Sequence, residues 1–569
     1  MQKFLRNKTN LFLILILTLA ATLRLYGLDW DQGFHLHPDE RAIVMFTTPL
    51  QLPETIAEFF SPTSPWNPHF FAYGSFPLYL LKIVGGALSI VNPLYGVYNQ
   101  INLVGRFLSV FFDLGTLFII FLLGRKLFNV RVGLLGTLFY SMSVLSIQLS
   151  HFYAVDTPLT FFILLTLYAL VRFYERPTKI RAVVVGIFFG LSLATKISAS
   201  VLVVAIGMTI AIDFLLLFLK NPHRPHIWLS HLPIFAKRLI LDGVLIVIAT
   251  ITTFAIVEPY AFIDFKTFWL HNMQQRQMIY DPFTFPYTLQ YVGKIPYFYE
   301  LKNIFLWGQG PALATLSFFG VIYLTYTAMK QLNNKTIIVL AFFWAYFLMV
   351  GNFAIGFMRY MLPLYPLLSL FAAAFFFRIT KSILPRSKLS LFFIFHFYFF
   401  IFILIWPLSF INIYTKPNTR VLASDWINQN IERGKTLAIE HWDDGLPLFG
   451  QEKYQRLTLP LYDPDTELKW TMINQKLAQT DYLILASNRL YVPLQKLTNC
   501  EKLPLGRCYK KSAEYYQKLF NGSLGFKKIA EFSVYSQLPF TNSQLPDGIA
   551  DESFTVYDHP KVMIFKRND

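Results

Sequence analysis

Apolar stretches separated by short polar or basic segments follow one another along most of the chain before residue 412. A helix needs about 20 residues to cross a hydrocarbon core of ~30 Å, and eleven stretches reach or approach that length. They lie near 9–27, 104–124, 132–150, 157–175, 182–196, 198–219, 239–257, 304–328, 336–356, 360–378 and 389–411. The pattern predicts an all-α polytopic membrane bundle of about eleven transmembrane helices.

A twelfth apolar stretch, 76–91, is interrupted by a proline, a lysine and a pair of glycines. Basic clusters between the apolar stretches decide how to treat it, since cytoplasmic loops concentrate Lys and Arg. The clusters lie at 3–8, 125–131, 172–181, 220–238, 330–335 and 378–388. All six fall on the cytoplasmic side if the N-terminus is inside and 76–91 does not cross. We therefore predict an embedded helix at 76–91, with loops 28–103 and 258–303 facing outward.

The basic residues Lys3, Arg6 and Lys8 precede the first apolar stretch, as they would in a secretory signal peptide. It continues through Leu25 without a clear small-residue cleavage site. We therefore predict that it is an uncleaved first span.

The chain changes character after residue 412, where long apolar stretches give way to mixed sequence. A helix is predicted over 424–431, with Ser424 as its N-cap. Short strand-like runs are Thr436–Glu440, Tyr482–Ala486 and Val562–Phe565. The organisation predicted is a transmembrane domain over 1–412 and an outward-facing α/β domain over 413–569.

Composition supports a membrane protein: 54% of the residues are hydrophobic and 15% are charged, against about 25% charged in soluble domains. The net charge of +17 sits mainly in the short loops, which argues against nucleic-acid binding. Two cysteines, Cys500 and Cys508, rule out a cysteine-rich metal site. In an outward compartment they either pair in a disulfide or remain free thiols.

Two acidic positions interrupt apolar sequence on the predicted outer face. Asp39 and Glu40 follow His37 and Pro38 shortly after the first span, and Asp156 lies between two apolar stretches with almost no loop. Ionisable groups held at a membrane edge are functional candidates by default. Each also has a purely structural interpretation, because acidic residues commonly begin or cap helices.

Three cations lie on the same predicted face, against the usual charge bias. They are Arg106 at the start of the second span, Lys196 in a short junction, and Arg359 in Met358–Pro363. Such cations suit a phosphate group, for which Arg offers a bidentate fork. The alternative is a long side chain that reaches the headgroup region and binds nothing specific.

Two further polar clusters face outward. Glu258 precedes the polar run 274–277, which either contacts substrate or lies on the membrane surface as an amphipathic helix. In the tail, 441–444 combines an aromatic residue with two carboxylates, a combination found in sugar and metal sites.

Taken in order, these motifs resemble the protein O-mannosyltransferase-like branch of the C-class glycosyltransferases, over roughly residues 10–412. The matching elements are the Asp39–Glu40 pair, Arg106, Asp156, the Gly190-to-Lys196 junction, and the Arg-Tyr-x-Leu-Pro-x-x-Pro element from Arg359 to Pro366. The tail looks like the extra outward domain that many bacterial members add, including Asp551–Phe554.

The resemblance implies a C-class fold and an inverting transfer of sugar from a polyprenyl-phosphate carrier to a hydroxyl of a protein, lipid or glycan acceptor. The reaction would occur at the outer face of the cytoplasmic membrane. Asp39 would act as general base, supported by Glu40, with Asp156 orienting the acceptor or the base. The residues expected to contact the substrate are Arg106, Lys196, Arg359, Tyr360 and His37.

Other interpretations remain open at this stage. A transporter or flippase of a lipid-linked saccharide would also place polar groups in a membrane bundle. A catalytically inactive relative could bind glycolipid through its outer tail. No metal ligand is assigned, although the resemblance leaves a divalent cation open as a cofactor.

Overall fold

The computed structural model describes residues 2–383, 389–539 and 543–568, and helices dominate it up to residue 411. In chain order these helices are α1 (Gln2–Leu25), α2 (Pro38–Thr47), α3 (Ile56–Phe59), α4 (Phe76–Leu88), α5 (Ile101–Leu127), α6 (Val130–Ser141), α7 (Val144–Ser150), α8 (Asp156–Glu175), α9 (Lys179–Thr195), α10 (Leu202–Lys220), α11 (Pro225–Leu229), α12 (Leu232–Val257), α13 (Tyr260–Ile263), α14 (Phe265–Tyr280), α15 (Phe298–Asn303), α16 (Pro311–Gln331), α17 (Asn334–Gly351), α18 (Tyr365–Ile383) and α19 (Leu389–Ile411).

Within the described residues, nine helical segments are long and apolar enough to cross a membrane. The number rises to ten if α6 and α7, which meet at a bend of 63°, form one span. The chain is thus a multi-pass membrane protein. Each of the eleven predicted stretches coincides with helix, but α9 has 17 residues and is not among the nine or ten. Part of the basic cluster predicted at 378–388 lies outside the described residues.

The stretch predicted to be embedded forms α4, a helix of 13 residues. That is short of the roughly 20 residues a span requires. The helix contacts α2, α5 and α9. Its apolar residues therefore pack beside the bundle, close to helix α2, which carries Asp39.

Glycines bring α9 and α12 into close contact. A Cβ at Gly186 would lie 2.5 Å from the Ile246 carbonyl oxygen, and one at Gly190 would lie 2.7 Å from the Thr250 carbonyl oxygen. Small residues at this spacing allow two helix backbones to approach, as is common between membrane helices. The two glycines therefore fix the position of α9 against α12. The C-terminal end of α9 leads directly to Lys196.

The C-terminal part contains α20 (Thr419–Asn430), β1 (Thr436–Glu440), β2 (Gln455–Leu459), α21 (Glu467–Ala478), β3 (Tyr482–Leu485), α22 (Asn488–Lys496), α23 (Lys510–Asn521), β4 (Phe526–Phe532), α24 (Glu552–Thr555) and β5 (Val562–Arg567). The sheet order is β2-β1-β3-β5-β4. Strand β1 is parallel to β2 and β3, while β5 is antiparallel to β3 and β4. The predicted mixture of helices and short strands is present.

One predicted detail of this region is wrong. Helix α20 begins at Thr419 with Asn418 as its N-cap, well before the predicted cap at Ser424. The Ser424 hydroxyl instead donates to the Arg420 carbonyl oxygen inside the helix and accepts from the Leu448 amide. A serine in mid-helix has this alternative partner four residues back, which the sequence alone does not distinguish from a cap.

The tail is attached to one end of the bundle by polar contacts, some of them buried. The Asp558 carboxylate accepts from the Gln148 amide at 3.0 Å and from the Tyr414 hydroxyl at 2.9 Å. Arg41 of α2 pairs with Asp444 at 2.8 Å. Cys500 and Cys508 are joined in a disulfide within this region. The boundary at residue 412 stays a prediction, as does the outward orientation.

The orientation can be tested by labelling single cysteines. Val97 is 48% exposed in the loop between α4 and α5, so Val97→Cys should react with an impermeant maleimide in intact cells. His223, exposed between α10 and α11, lies on the opposite predicted face, and His223→Cys should react only after permeabilisation. Protection of the Val97→Cys variant in intact cells would show that the segment 76–91 crosses the membrane.

Candidate active site

Helix α2 presents Asp39 to an internal cavity. The helix begins at Pro38, and the His37 imidazole caps it by accepting a hydrogen bond from the Glu40 amide. Asp39 lies in the first turn, where the helix dipole favours a carboxylate. Its side chain is 17% exposed and pairs with the Arg359 guanidinium at 2.9 Å. The Tyr73 hydroxyl lies against the same carboxylate.

Asp156 lies in the first turn of α8, where its carboxylate is close to two of the predicted cations. The Lys196 ammonium lies 2.8 Å from one carboxylate oxygen of Asp156, and the Arg359 Nε lies 3.6 Å from the other. Arg359 therefore bridges Asp39 and Asp156. The Tyr360 ring lies 4.5 Å from the Lys196 ammonium in a cation–π arrangement.

Asp39, Lys196, Arg359 and Tyr360 line a polar cavity of about 180 Å³, while Asp156 lies behind its two cations and does not line it. Its polar lining consists of Asp39, Tyr73, Lys196, Gln275, Tyr287, Arg359, Tyr360, Arg489 and Tyr557. Tyr73, Lys196, Gln275 and Tyr360 also line a second cavity of about 470 Å³, whose walls are mainly apolar. The two cavities are thus neighbours, one rich in charge and one suited to hydrocarbon.

Arg106 lies elsewhere. Its guanidinium is fully buried and donates to the Glu40 carboxylate at 2.6 and 3.0 Å and to Asp31 at 2.8 Å. A fourth bond goes to the Leu28 carbonyl oxygen at 2.9 Å. Glu40 also accepts from the Tyr153 amide at 2.8 Å. Arg106 and Glu40 therefore balance each other's charge behind the cavity. Neither of them lines it.

His37 is also enclosed, with 0% of its surface exposed. Its ring lies 4.5 Å from that of Phe152 and 4.2 Å from that of Tyr557. Burial lowers the pKa of the imidazole to about 3, so the ring is neutral at physiological pH. Its Nδ1 caps α2, and the ring does not line the cavity that contains Asp39. A contact between His37 and the substrate stays a prediction.

Charge sets the protonation state of Asp39. Burial alone would raise the pKa of this carboxyl, but the Arg359 guanidinium and the other neighbouring groups outweigh burial and hold the pKa below its ordinary value. The carboxylate is therefore ionised and able to accept a proton. While Arg359 remains paired with Asp39, however, one oxygen of the Asp39 carboxylate is occupied.

Residues 88–263 match the family model described as dolichyl-phosphate-mannose-protein mannosyltransferase. This segment, less than half of the chain, includes Arg106, Asp156, Lys196 and the Gly190 junction. The resemblance predicted from the motifs is confirmed. The chain is therefore a glycosyltransferase that is similar to this family over that segment.

Two solved structures with TM-scores above 0.5 share the fold. The Archaeoglobus fulgidus oligosaccharyltransferase AglB, in complex with an inhibitory peptide and a dolichol-phosphate, has a TM-score of 0.53 at 13% identity, covering 99% of this chain and 89% of that one. The same protein tethered to an acceptor peptide gives 0.52 at 13% identity, covering 100% and 89%. ArnT from Cupriavidus metallidurans bound to undecaprenyl phosphate gives 0.46 at 12% identity, covering 86% and 95%. No curated protein sequence matches the chain. The comparisons do not favour the transporter alternative.

The sequence of the glycosyltransferase did not reveal every residue of the cavity. Arg489 of α22 and Tyr557, just after α24, reach it from the tail, while Tyr287 reaches it from the loop after α14. Arg489 is held by Glu552, with its Nε 2.7 Å from the carboxylate. The only sequence signal was the Asp551–Phe554 element, which forms the turn and helix that carry Glu552.

The carboxylates do not fit a divalent cation. Asp156 is paired with Lys196 and Arg359, and Asp39 with Arg359. Among the described residues, no group of three or more His, Cys, Asp or Glu side chains is arranged to hold a metal ion. In the tail, Asp443 pairs with Arg420 at 2.6 Å and Asp444 with Arg41, so both carboxylates of the predicted cluster 441–444 are already paired with cations.

Because Arg106 is buried and paired, we expect its replacement to lower the stability of the folded protein. Arg106→Met should leave Asp31 and Glu40 buried without a cation, at a cost of about 3–5 kcal/mol. We expect a large fall in the thermal unfolding midpoint of the purified protein, measured by intrinsic fluorescence. Arg131→Met, at an exposed arginine at the start of α6, should change the midpoint little. Normal stability of Arg106→Met combined with lost donor binding would instead make Arg106 a substrate ligand.

Proposed function

We propose that this glycosyltransferase transfers a sugar from a polyprenyl-phosphate carrier to a hydroxyl group of a protein at the outer face of the cytoplasmic membrane. The observation that carries the proposal is one cavity in which Asp39 faces Arg359, Lys196 and Arg489. A base for the acceptor and cations for a phosphate thus meet beside an apolar chamber. Each part of the substrate has a matching environment.

The cations serve the leaving group. When the bond between the anomeric carbon and the phosphate oxygen breaks, the phosphate takes the electron pair and its negative charge grows. Fixed cations in a site shielded from water stabilise such developing charge strongly. Arg359 is 10% exposed and Lys196 is 18% exposed, so both are shielded. Arg489, from the tail, adds a third cation to the same cavity.

Asp39 serves the acceptor. Its carboxylate takes the proton of the acceptor hydroxyl while that oxygen attacks the anomeric carbon. The new carbon–oxygen bond forms on the side opposite to the departing phosphate, so a single displacement inverts the configuration. Asp156, held by Lys196 and Arg359, keeps those cations in place and does not itself exchange a proton.

The pairing of Asp39 with Arg359 links donor binding to activation of the base. A donor phosphate competes with the two carboxylates for the Arg359 fork, since a guanidinium binds phosphate in the same bidentate way. Once Arg359 turns toward the phosphate, an oxygen of Asp39 becomes available to the acceptor. Donor binding should therefore come before productive binding of the acceptor.

The apolar cavity of about 470 Å³ suits the first units of the carrier chain. Its walls include Leu193, Ile197, Phe254 and Phe353, and Lys196 lies where it meets the polar cavity. The fold is shared with AglB, whose structure contains a dolichol-phosphate and a peptide. That likeness supports a lipid-phosphate donor and a protein acceptor here.

Asp39→Asn tests the base directly. The change should lower sugar transfer from a radiolabelled polyprenyl-phosphate donor by about 10²–10⁴-fold, the range for losing a general base. Donor binding should persist, because Arg359, Lys196 and Arg489 remain. Transfer is measured in purified membranes, and binding by retention of the labelled donor on the purified protein.

Glu54→Gln is the matched control. Glu54 is an exposed acid in the same outer loop, so this variant should transfer sugar at the normal rate. Normal transfer by Asp39→Asn would contradict the assignment of Asp39. Loss of both transfer and donor binding would point to a carboxylate needed only for the shape of the site.

Glu552 should make donor affinity depend on pH. Burial raises the pKa of this carboxyl to about 7, even though Arg489 lowers it, while Asp551 and Asp443 raise it further. Above that pH the ionised Glu552 neutralises Arg489, and below it the protonated form leaves the charge of Arg489 free. Donor binding should therefore tighten several-fold as pH falls from about 8 to about 6.

Glu552→Gln should remove that dependence. The amide cannot ionise, so binding of the donor should stay tight across the range and match the wild-type protein at the acid end. Binding is measured by titration of a fluorescent polyprenyl-phosphate sugar. An unchanged pH dependence in Glu552→Gln would show that another group causes it.

A further inference from the structure

A second polar cavity, of about 310 Å³, lies on the other side of the loop that leads to Asp39. It is lined by the loop after α1, through Asp29, Gln32 and His35, and by the approach to α5, through Tyr98, Gln100 and Asn102. It shares no lining residue with the cavity that contains Asp39. The lining is made of amide, imidazole, phenol and carboxylate groups.

Asn102 in this cavity is buried without hydrogen-bond partners among the described residues, and His35 has only the Tyr98 backbone beside it. Asn102 is 0% exposed, and neither its amide nitrogen nor its amide oxygen has a hydrogen bond within the described residues. His35 is 3% exposed, and neither ring nitrogen has a hydrogen bond of normal geometry there, although the Tyr98 backbone lies beside it. Buried polar groups nearly always have hydrogen-bond partners. The unpaired polar atoms gathered in this cavity therefore indicate a ligand.

The loop is built to hold His35 in this position. Asp31 accepts hydrogen bonds from the Gly33 and Leu36 amides, at 3.3 and 3.1 Å, and is itself anchored by Arg106. Gln32 and His35 adopt φ angles of 52° and 51°, which are unusual for residues with a Cβ. A strained loop held by a buried charge keeps the imidazole turned inward, where the Tyr98 ring lies 4.3 Å away.

The chemistry of the lining selects among ligands. Burial lowers the pKa of His35, so the neutral ring offers one donor and one acceptor, and Asn102 also offers both. Asp29 adds an acceptor that would repel an anion. A metal ion is also disfavoured, since the described residues contain no cluster of three metal-ligating side chains. Alternating donors and acceptors beside an aromatic ring suit the hydroxyl groups of a sugar.

We propose that this cavity is a second carbohydrate-binding site, separate from the transfer site, that takes a neutral saccharide. The choice of a saccharide rests on the proposed function, because a glycosyltransferase meets glycans as part of its acceptor or as its product. Both sources offer the same neutral hydroxyl groups. The loop between the two cavities carries His37, which caps the helix of Asp39.

The test uses the full-length protein in nanodiscs and saturation-transfer NMR. The probes are methyl glycosides of mannose, glucose, galactose and N-acetylglucosamine and their disaccharides. We expect at least one to bind, and Asn102→Leu to weaken it about tenfold, which corresponds to the loss of one or two hydrogen bonds. Tyr98→Ala, at a residue 38% exposed, should weaken it as well. Gln455→Leu, on the exposed edge strand β2, should not.

Stability provides the second readout. If Asn102 is kept for a ligand, Asn102→Leu replaces an unsatisfied amide with an apolar group of similar size, and the unfolding midpoint without ligand should stay the same or rise. A clear fall would assign the amide a structural role and overturn the proposal. Absence of binding to every saccharide, normal binding by Asn102→Leu, or binding of calcium alone would also overturn it.

Two further arms separate the causes of failure. Asp39→Asn should bind the saccharide normally, because Asp39 does not line this cavity. If the wild-type protein binds the saccharide but transfers no sugar, the proposed function is contradicted and this binding site is still supported. A glycopeptide that binds more tightly than its free glycan would identify an acceptor-borne saccharide. Equal binding of the two would identify a free or product glycan, and either result supports the site.

Discussion

The buried Arg106 cluster is the interaction on which the position of α2 and of the candidate site depends. One guanidinium on the second span binds two carboxylates, Asp31 and Glu40, and a backbone carbonyl, with no exposure to solvent. Charges in such surroundings are expensive unless paired and hydrogen-bonded. The pairing therefore specifies a single position for the loop and for α2 against α5.

That position decides what the neighbouring carboxylates do. Adjacent residues on a helix differ by about 100° in direction, so when Glu40 is fixed on Arg106, Asp39 must face another side. That side is the cavity with Arg359. Two acids that look equivalent in the sequence thus divide into an anchor and a candidate base.

The sequence was sufficient for the parts that depend on local patterns. Long apolar stretches coincide with the helices, short strand-like runs coincide with β1, β3 and β5, and Asp39, Asp156, Lys196 and Arg359 do meet. It was insufficient where a role depends on a distant partner. An arginine at the outer end of a span looks the same whether it binds phosphate, as expected of Arg106, or buried carboxylates. Arg489 lies far along the chain from Asp39, and no local pattern connects them.

The tail therefore contributes to the site and is more than an appendage. Its attachment uses buried groups on both sides, including Asp558 of the tail with Gln148 of α7, and this places Arg489 and Tyr557 in the cavity wall. The bundle supplies Arg359 and Lys196 already paired with carboxylates, so their charge is largely compensated before a substrate arrives. Arg489, balanced by a carboxyl whose pKa lies near 7, is the cation of the cavity whose effective charge is most easily changed. The tail therefore contributes the adjustable part of the site's electrostatics, and the bundle contributes the fixed part.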